Sequence, residues 1–159
     1  MERQPFVLGF LLRKFPEFDF KMDEFDDRLR LQKFIYLLQA HDIYLGYDFS
    51  WYLRGPYCTT LTAAGFALEG FYQQIPKRSK GTRFASRTIQ KRFDRFTRFI
   101  KGKESDTNFL EAAASLHFLI RIRQLTDDDA VSMVAEKMPG VDASYVKGVL
   151  DCVRAEGLL

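Results

Sequence analysis

One stretch constrains the fold of this chain more than any other. Leu31, Phe34, Ile35 and Leu38 recur at i, i+3, i+4 and i+7, and a short aromatic run, Phe49 to Leu53, follows them before Gly55-Pro56. The first pattern is one apolar stripe of a helix; the second suits a strand. Asp26 or Asp27 can cap that helix, which the spacing ends near His41. In the strand, Phe49, Trp51 and Leu53 share one face, and Ser50, Tyr52 and Arg54 share the other. Gly55-Pro56 is expected to stop the strand, which forms a ribbon if it finds a pairing partner. Tyr36, Trp51 and Tyr57 are expected to pack the stretch together. Gln32 and Lys33 are placed on its outer side and, with Arg54 and Tyr57, are candidate partner contacts.

The flanking chain reads as helix almost throughout. Pro5 suits the first turn of a helix to about Phe15, closed by Pro16. Between residues 17 and 27 acids alternate with Phe18, Phe20 and Phe25. That pattern fits either an acidic, aromatic docking segment or a connector whose rings seal the core. The connector is the better reading, because adjacent exposed Phe side chains promote aggregation. Thr59 or Thr60 can cap a third helix to about Gln73, burying Leu61, Ala64, Leu68 and Phe71. Residues 75–86 read as a loop, and Arg87 to about Lys101 as a helix with Ile89, Phe93, Phe96 and Ile100 on one face. A long helix is expected from Asp106 to Gln124. Thr126 caps the next one, with Asp127, Asp128 and Asp129 in its first turn, and Asp142 caps the last.

The fold expected is mainly α with a small β element and five to seven helices. Residues 1–76 form a winged-helix-like core, 77–103 a basic loop and helix, and 104–159 a three-helix C-terminal extension. Sixteen Phe and seven Tyr among 159 residues supply enough burial area for a core without disulfides. Cys58 and Cys152 match no zinc or redox spacing, and two lone thiols point to a reducing cytoplasm. The run Phe6 to Leu12 is too short for a membrane span, which takes about 20 apolar residues. Glu2 and Arg13-Lys14 do not fit an export signal, so the run reads as a buried helix.

The net charge of +3 conceals an asymmetry. Lys77 to Lys103 holds eleven Lys or Arg and one acid, Asp94, whereas the remaining residues hold 13 basic and 20 acidic side chains. A segment of net +10 in an otherwise acidic chain attracts nucleic-acid phosphates, DNA or RNA. The residues expected to make those contacts are Lys77, Arg78, Lys80, Arg83, Arg87, Lys91, Arg92, Arg95 and Arg98, with Phe84 or Phe99 stacking on a base if exposed. The bland alternative is a solvated face paired with the chain's own acids or with an acidic protein. A base-reading helix is not expected, because Cys58 to Ile75 contains no Lys or Arg.

Leu31-Gln32-Lys33-Phe34-Ile35-Tyr36, followed by Phe49, Trp51-Tyr52 and Gly55-Pro56-Tyr57, resembles the YwgA-like prokaryotic family. It is more distantly similar to the SocA-like Panacea domain, an antitoxin module. The matched core covers Leu29 to Leu61, and Leu110 to Leu159 resembles archaeal members. Cys58-Thr59-Thr60-Leu61 departs from the Ser-Pro or Pro-Glu pair common at that point. The resemblance implies a non-catalytic role in which a partner protein is bound and neutralised or presented.

The residues themselves point the same way on chemistry. Cys58, at a helix start, could be an activated nucleophile, but no His stands at a spacing to serve as its base, so a buried small hydrophobe is the better reading. His117 lies in an apolar helix as a core or boundary residue. The acids at 127–129 are explained by capping and lack the further oxygen ligands of a calcium loop. No P-loop, GxSxG, HExxH or Rossmann glycine pattern occurs. The expectation is a non-enzymatic binding protein with no metal, cofactor or membrane partner.

Overall fold

A computed structural model describes residues 3–77, 84 and 86–159. Among them are seven α-helices and one antiparallel ribbon. In chain order these are α1 (Arg3–Arg13), α2 (Phe25–Ala40), β1 (Ser50–Tyr52), β2 (Gly55–Tyr57), α3 (Thr59–Glu69), α4 (Arg87–Ile100), α5 (Thr107–His117), α6 (Asp127–Lys137) and α7 (Ala143–Ala155). The chain is thus mainly helical with a small β element.

Helix α2 is the axis of the core. From Leu29 to Leu38 only Arg30 escapes burial, so the single stripe read from sequence widens to most of the circumference. A helix that is apolar nearly all round packs on several sides. Its first turn is set by Asp27, which accepts from the Glu24 backbone N–H (2.9 Å) and pairs with Arg30, so the cap lies at Glu24. Helix α5 lies against α2, α6 and α7, and its Ala112, Ala113 and Ala114 are all fully buried. Helix α3 packs on α1 and α2; a Cβ on Gly65 would come within 3 Å of Met22 and Leu31. Residues of all three sequence segments enter one hydrophobic cluster.

The aromatic surplus is spent in that cluster. Phe34 of α2 meets Phe15 (5.0 Å), Phe18 (4.6 Å) and Phe96 (5.2 Å), and Phe15 also meets Phe93. Helix α4 is therefore anchored by its apolar face, and Ser86 caps it by accepting from the Thr88 and Ile89 N–H groups. In the acidic connector, Phe18 and Met22 are buried and Phe20 packs on Tyr72, but Phe25 is exposed.

Three boundaries differ from the reading of the sequence. Gly55-Pro56 does not merely stop the strand; it is the returning strand. Ser50 faces Tyr57, Trp51 faces Pro56 and Tyr52 faces Gly55 across a turn at Leu53-Arg54. Gly55 takes φ +102°, a region closed to most side chains, and a Cβ there would stand 2.5 Å from Ser115 Oγ. Helix α3 ends at Glu69, and Tyr72–Gln74 form a separate 3₁₀ turn. The long helix starting at 106 is broken: after His117 it widens to a π-turn over Phe118–Ile122, and Gln124 ends the segment at φ +59°.

Candidate functional site

Two groups of charged side chains stand out, one wet and one dry. The wet one is the outer side of α4. Arg87, Lys91 and Arg98 are exposed there, opposite the buried Phe93, Phe96 and Ile100. Their spacing of four and seven residues keeps them on one face, with Asp94 between them. Asp94 accepts from Gln90 Nε2 (2.9 Å), and among the described residues none of the three cations makes an ion pair.

The other expected nucleic-acid contacts divide. Lys77 is exposed. Arg92 is half-buried and donates to the Asp42 carbonyl (3.0 Å). Arg95 pairs with Glu156 (2.9 Å), which also lies 3.5 Å from His41 Nε2. Arg92 and Arg95 thus tie α4 to the α2 end and the α7 end. Arg78, Lys80 and Arg83 lie outside the described residues. Phe84 packs on Phe93 (5.0 Å) and Phe99 on His41 and Phe109, so both half-buried rings turn inward and neither is an open stacking platform.

The dry group joins the two motifs of the opening stretch. Glu111 of α5, with its side chain 1% exposed, accepts from Arg54 Nε (3.1 Å) and Nη2 (2.7 Å) through one oxygen, and from Lys137 Nζ (3.1 Å) through the other. Lys33 is fully buried beside them, donating to the Pro56 carbonyl (2.6 Å). Two cations therefore bond one enclosed carboxylate, with a third buried near it. Burial, then repulsion from Lys137, push the Lys33 ammonium down to about 7, with Glu111 opposing. Burial also lowers Lys137, whereas the Glu111 hydrogen bond raises Arg54.

Gln32 and Lys33 are therefore not outer-side contacts. Helix α2 is enclosed on that side by the hairpin and α3, and both polar heads bond inward. The Gln32 carboxamide accepts from the Cys58 N–H (2.8 Å) and donates to the Cys58 carbonyl (2.8 Å) and Thr62 Oγ1 (2.8 Å). Arg54 and Tyr57 keep partial exposure; Tyr57 Oη lies 2.7 Å from Thr62 Oγ1. Tyr36 and Trp51 do pack at the motif, meeting through the shared ring of Phe118, with Tyr36 also edge-on to Phe49.

Sequence reading missed Glu111. Its signal was present: it is the only Asp, Glu, Lys or Arg from Phe109 to Ile120. Such a charge in an apolar helix needs a partner.

Cys58 is buried with Sγ 3.0 Å from Thr60 Oγ1. His117 Nδ1 lies 2.7 Å from Tyr36 Oη, and burial, helped by Arg121, lowers its pKa to about 4. Among the described residues neither group is bonded to a carboxylate or to the other, and no three His, Cys, Asp or Glu side chains gather as a metal set. No helix there is long and apolar enough to cross a membrane.

Comparison with models of protein families, with curated proteins and with solved structures finds no match.

Proposed function

We propose that this chain is a non-enzymatic binding module that grips the backbone of DNA or RNA through the outer face of α4, carried on a winged-helix-like scaffold. The observation behind the reading is the alignment of Arg87, Lys91 and Arg98 on one exposed side, while the same helix is fixed by Phe93 and Phe96. At 1.5 Å per residue these cations sit about 6 and 10 Å apart along the axis, within reach of successive phosphates. Phosphate contacts position without reading sequence, so specificity is modest.

The test is retention of duplex DNA and single-stranded RNA at low salt. Three phosphate contacts give a log–log salt slope near −2.7, so affinity for duplex falls about 40-fold from 50 to 200 mM salt. The triple variant R87E/K91E/R98E loses retention while its unfolding midpoint stays put. Absence of retention by the native chain at low salt overturns the reading.

A second reading, a protein adaptor or antitoxin-like factor, rests on the hairpin tip. Leu53 is 90% exposed there beside exposed Tyr52, and the next residue, Arg54, lies over the exposed Phe25 ring (5.4 Å). Tyr and Arg side chains are enriched in binding hot spots, and here Tyr52 and Arg54 flank an exposed apolar tip. The LQK and GPY resemblance favours the same reading. It expects a stoichiometric complex with the product of an adjacent gene that L53D abolishes and R87E/K91E/R98E spares; a complex indifferent to L53D counts against it.

A further inference from the structure

Beside the hairpin lies a cavity of about 420 Å³, a size that suits a small organic ligand. Phe25, Leu29, Tyr52 and Leu53 supply apolar walls, and the first residue of α3, Thr59, also lines it. Among the described residues, Arg28, Lys33 and Arg54 are the charged members of the lining, and no carboxylate joins them.

The charges behind that lining sharpen the imbalance. Glu111 is already shared between Arg54 and Lys137. Asp26, 3.6 Å from Arg54 Nη1, is 57% exposed and screened by water. Arg28 donates Nη1 to the Met22 and Asp23 carbonyls, not to an acid. Among the described residues Lys33 donates only to the Pro56 carbonyl. Around Lys33, then, stand Arg54 on the hairpin, Lys137 on α6, and a single enclosed counter-charge, Glu111 on α5.

We infer that this cavity binds a small organic acid, its anionic head against Lys33 and Arg54 and its apolar body along Phe25, Leu29 and Tyr52. A neutral apolar molecule satisfies only the walls, and a bare inorganic anion only the cations. The site is separate from the proposed nucleic-acid face, since no α4 residue lines it.

Binding has a signature that adsorption to the exposed hairpin lacks. Lys33 is only partly protonated near neutrality, and an anion beside it restores its proton affinity. Entry of the acid therefore draws a proton onto Lys33, and affinity falls as pH rises above about 7.

The experiment is calorimetric titration of the native chain with octanoate, and with octanol as the neutral match, at pH 8.5 in two buffers of different ionisation heat. Octanoate is expected to bind at least tenfold tighter than octanol, with uptake approaching one proton. K33M, which leaves Arg54 in place, is expected to cut that preference at least threefold and to abolish the proton uptake, and R87E/K91E/R98E to leave both intact. Octanoate bound no better than octanol, bound without proton uptake, or not bound at all overturns the site. So does a preference that K33M leaves undiminished or that the α4 variant removes. Should K33M fail to fold, proton uptake in the native chain decides.

Discussion

The outer face of α4 and the interior around Glu111 use the same side chains to opposite ends. On α4, Arg87, Lys91 and Arg98 stand in water with their heads uncommitted by ion pairs within the described residues. Around Glu111, both carboxylate oxygens are engaged, one by Arg54 and one by Lys137, and removing the carboxylate strands Lys137. A surface ion pair contributes little to stability, while breaking an enclosed one leaves a charge without solvent. One region can exchange partners freely, and the other holds the hairpin to α5 and α6. Charge count alone does not distinguish them; the dielectric does.

The largest effect expected from this contrast is at Glu111. Replacing it with Ala strands Lys137 and frees Arg54, and should cost about 3 kcal/mol in urea unfolding. A loss below about 1 kcal/mol would mean that the interior is wetter than its burial indicates, and would dissolve the contrast.

Next comes Lys33. Unfolded, it holds its proton to its ordinary 10.5; folded, it releases it near 7. Between those values the unfolded chain binds more protons, so stability rises with pH across the window and is lowest at and below neutrality. The expected slope from pH 7 to 9 is roughly 1 kcal/mol per unit. K33M should flatten it and raise the midpoint at pH 7; a slope unchanged in K33M assigns it to Lys137, whose shift has the same sign.

The smallest effects sharpen the wet side. R98E should leave unfolding within about 0.5 kcal/mol of native. R95E, which opposes Glu156 and loosens the α4–α7 tie, should cost about 1 kcal/mol. Equal values for the two would show that the Arg95 pair holds nothing.

The helices were largely legible because their information is local. Thr126 and Asp142 cap as read, and Phe93, Phe96 and Ile100 define the inner face of α4 as their spacing required. The returning strand was not, because Gly55-Pro56 carries the signal of a turn in any local window. Only the approach of Ser115 and Lys33 shows why glycine stands there. Lys33 was misplaced for a related reason. A lysine on a helix is usually wet, and the groups that enclose this one, the Pro56 carbonyl and the charges of Arg54, Glu111 and Lys137, are far away in sequence. Between Lys77 and Lys103 the sequence showed eleven cations but not their employment; on α4, Arg92 and Arg95 are committed to Asp42 and Glu156, partners outside the helix.

The Gln32 clasp has a mechanical meaning. A single carboxamide stands in for a peptide group, answering both the N–H and the carbonyl of Cys58 and reaching Thr62 as well. Greasy contacts let two rods slip past each other by small steps, whereas this latch is either seated or open. The entry to α3, and the hairpin that feeds it, is therefore indexed to α2 at one setting, like a key that turns only when fully home.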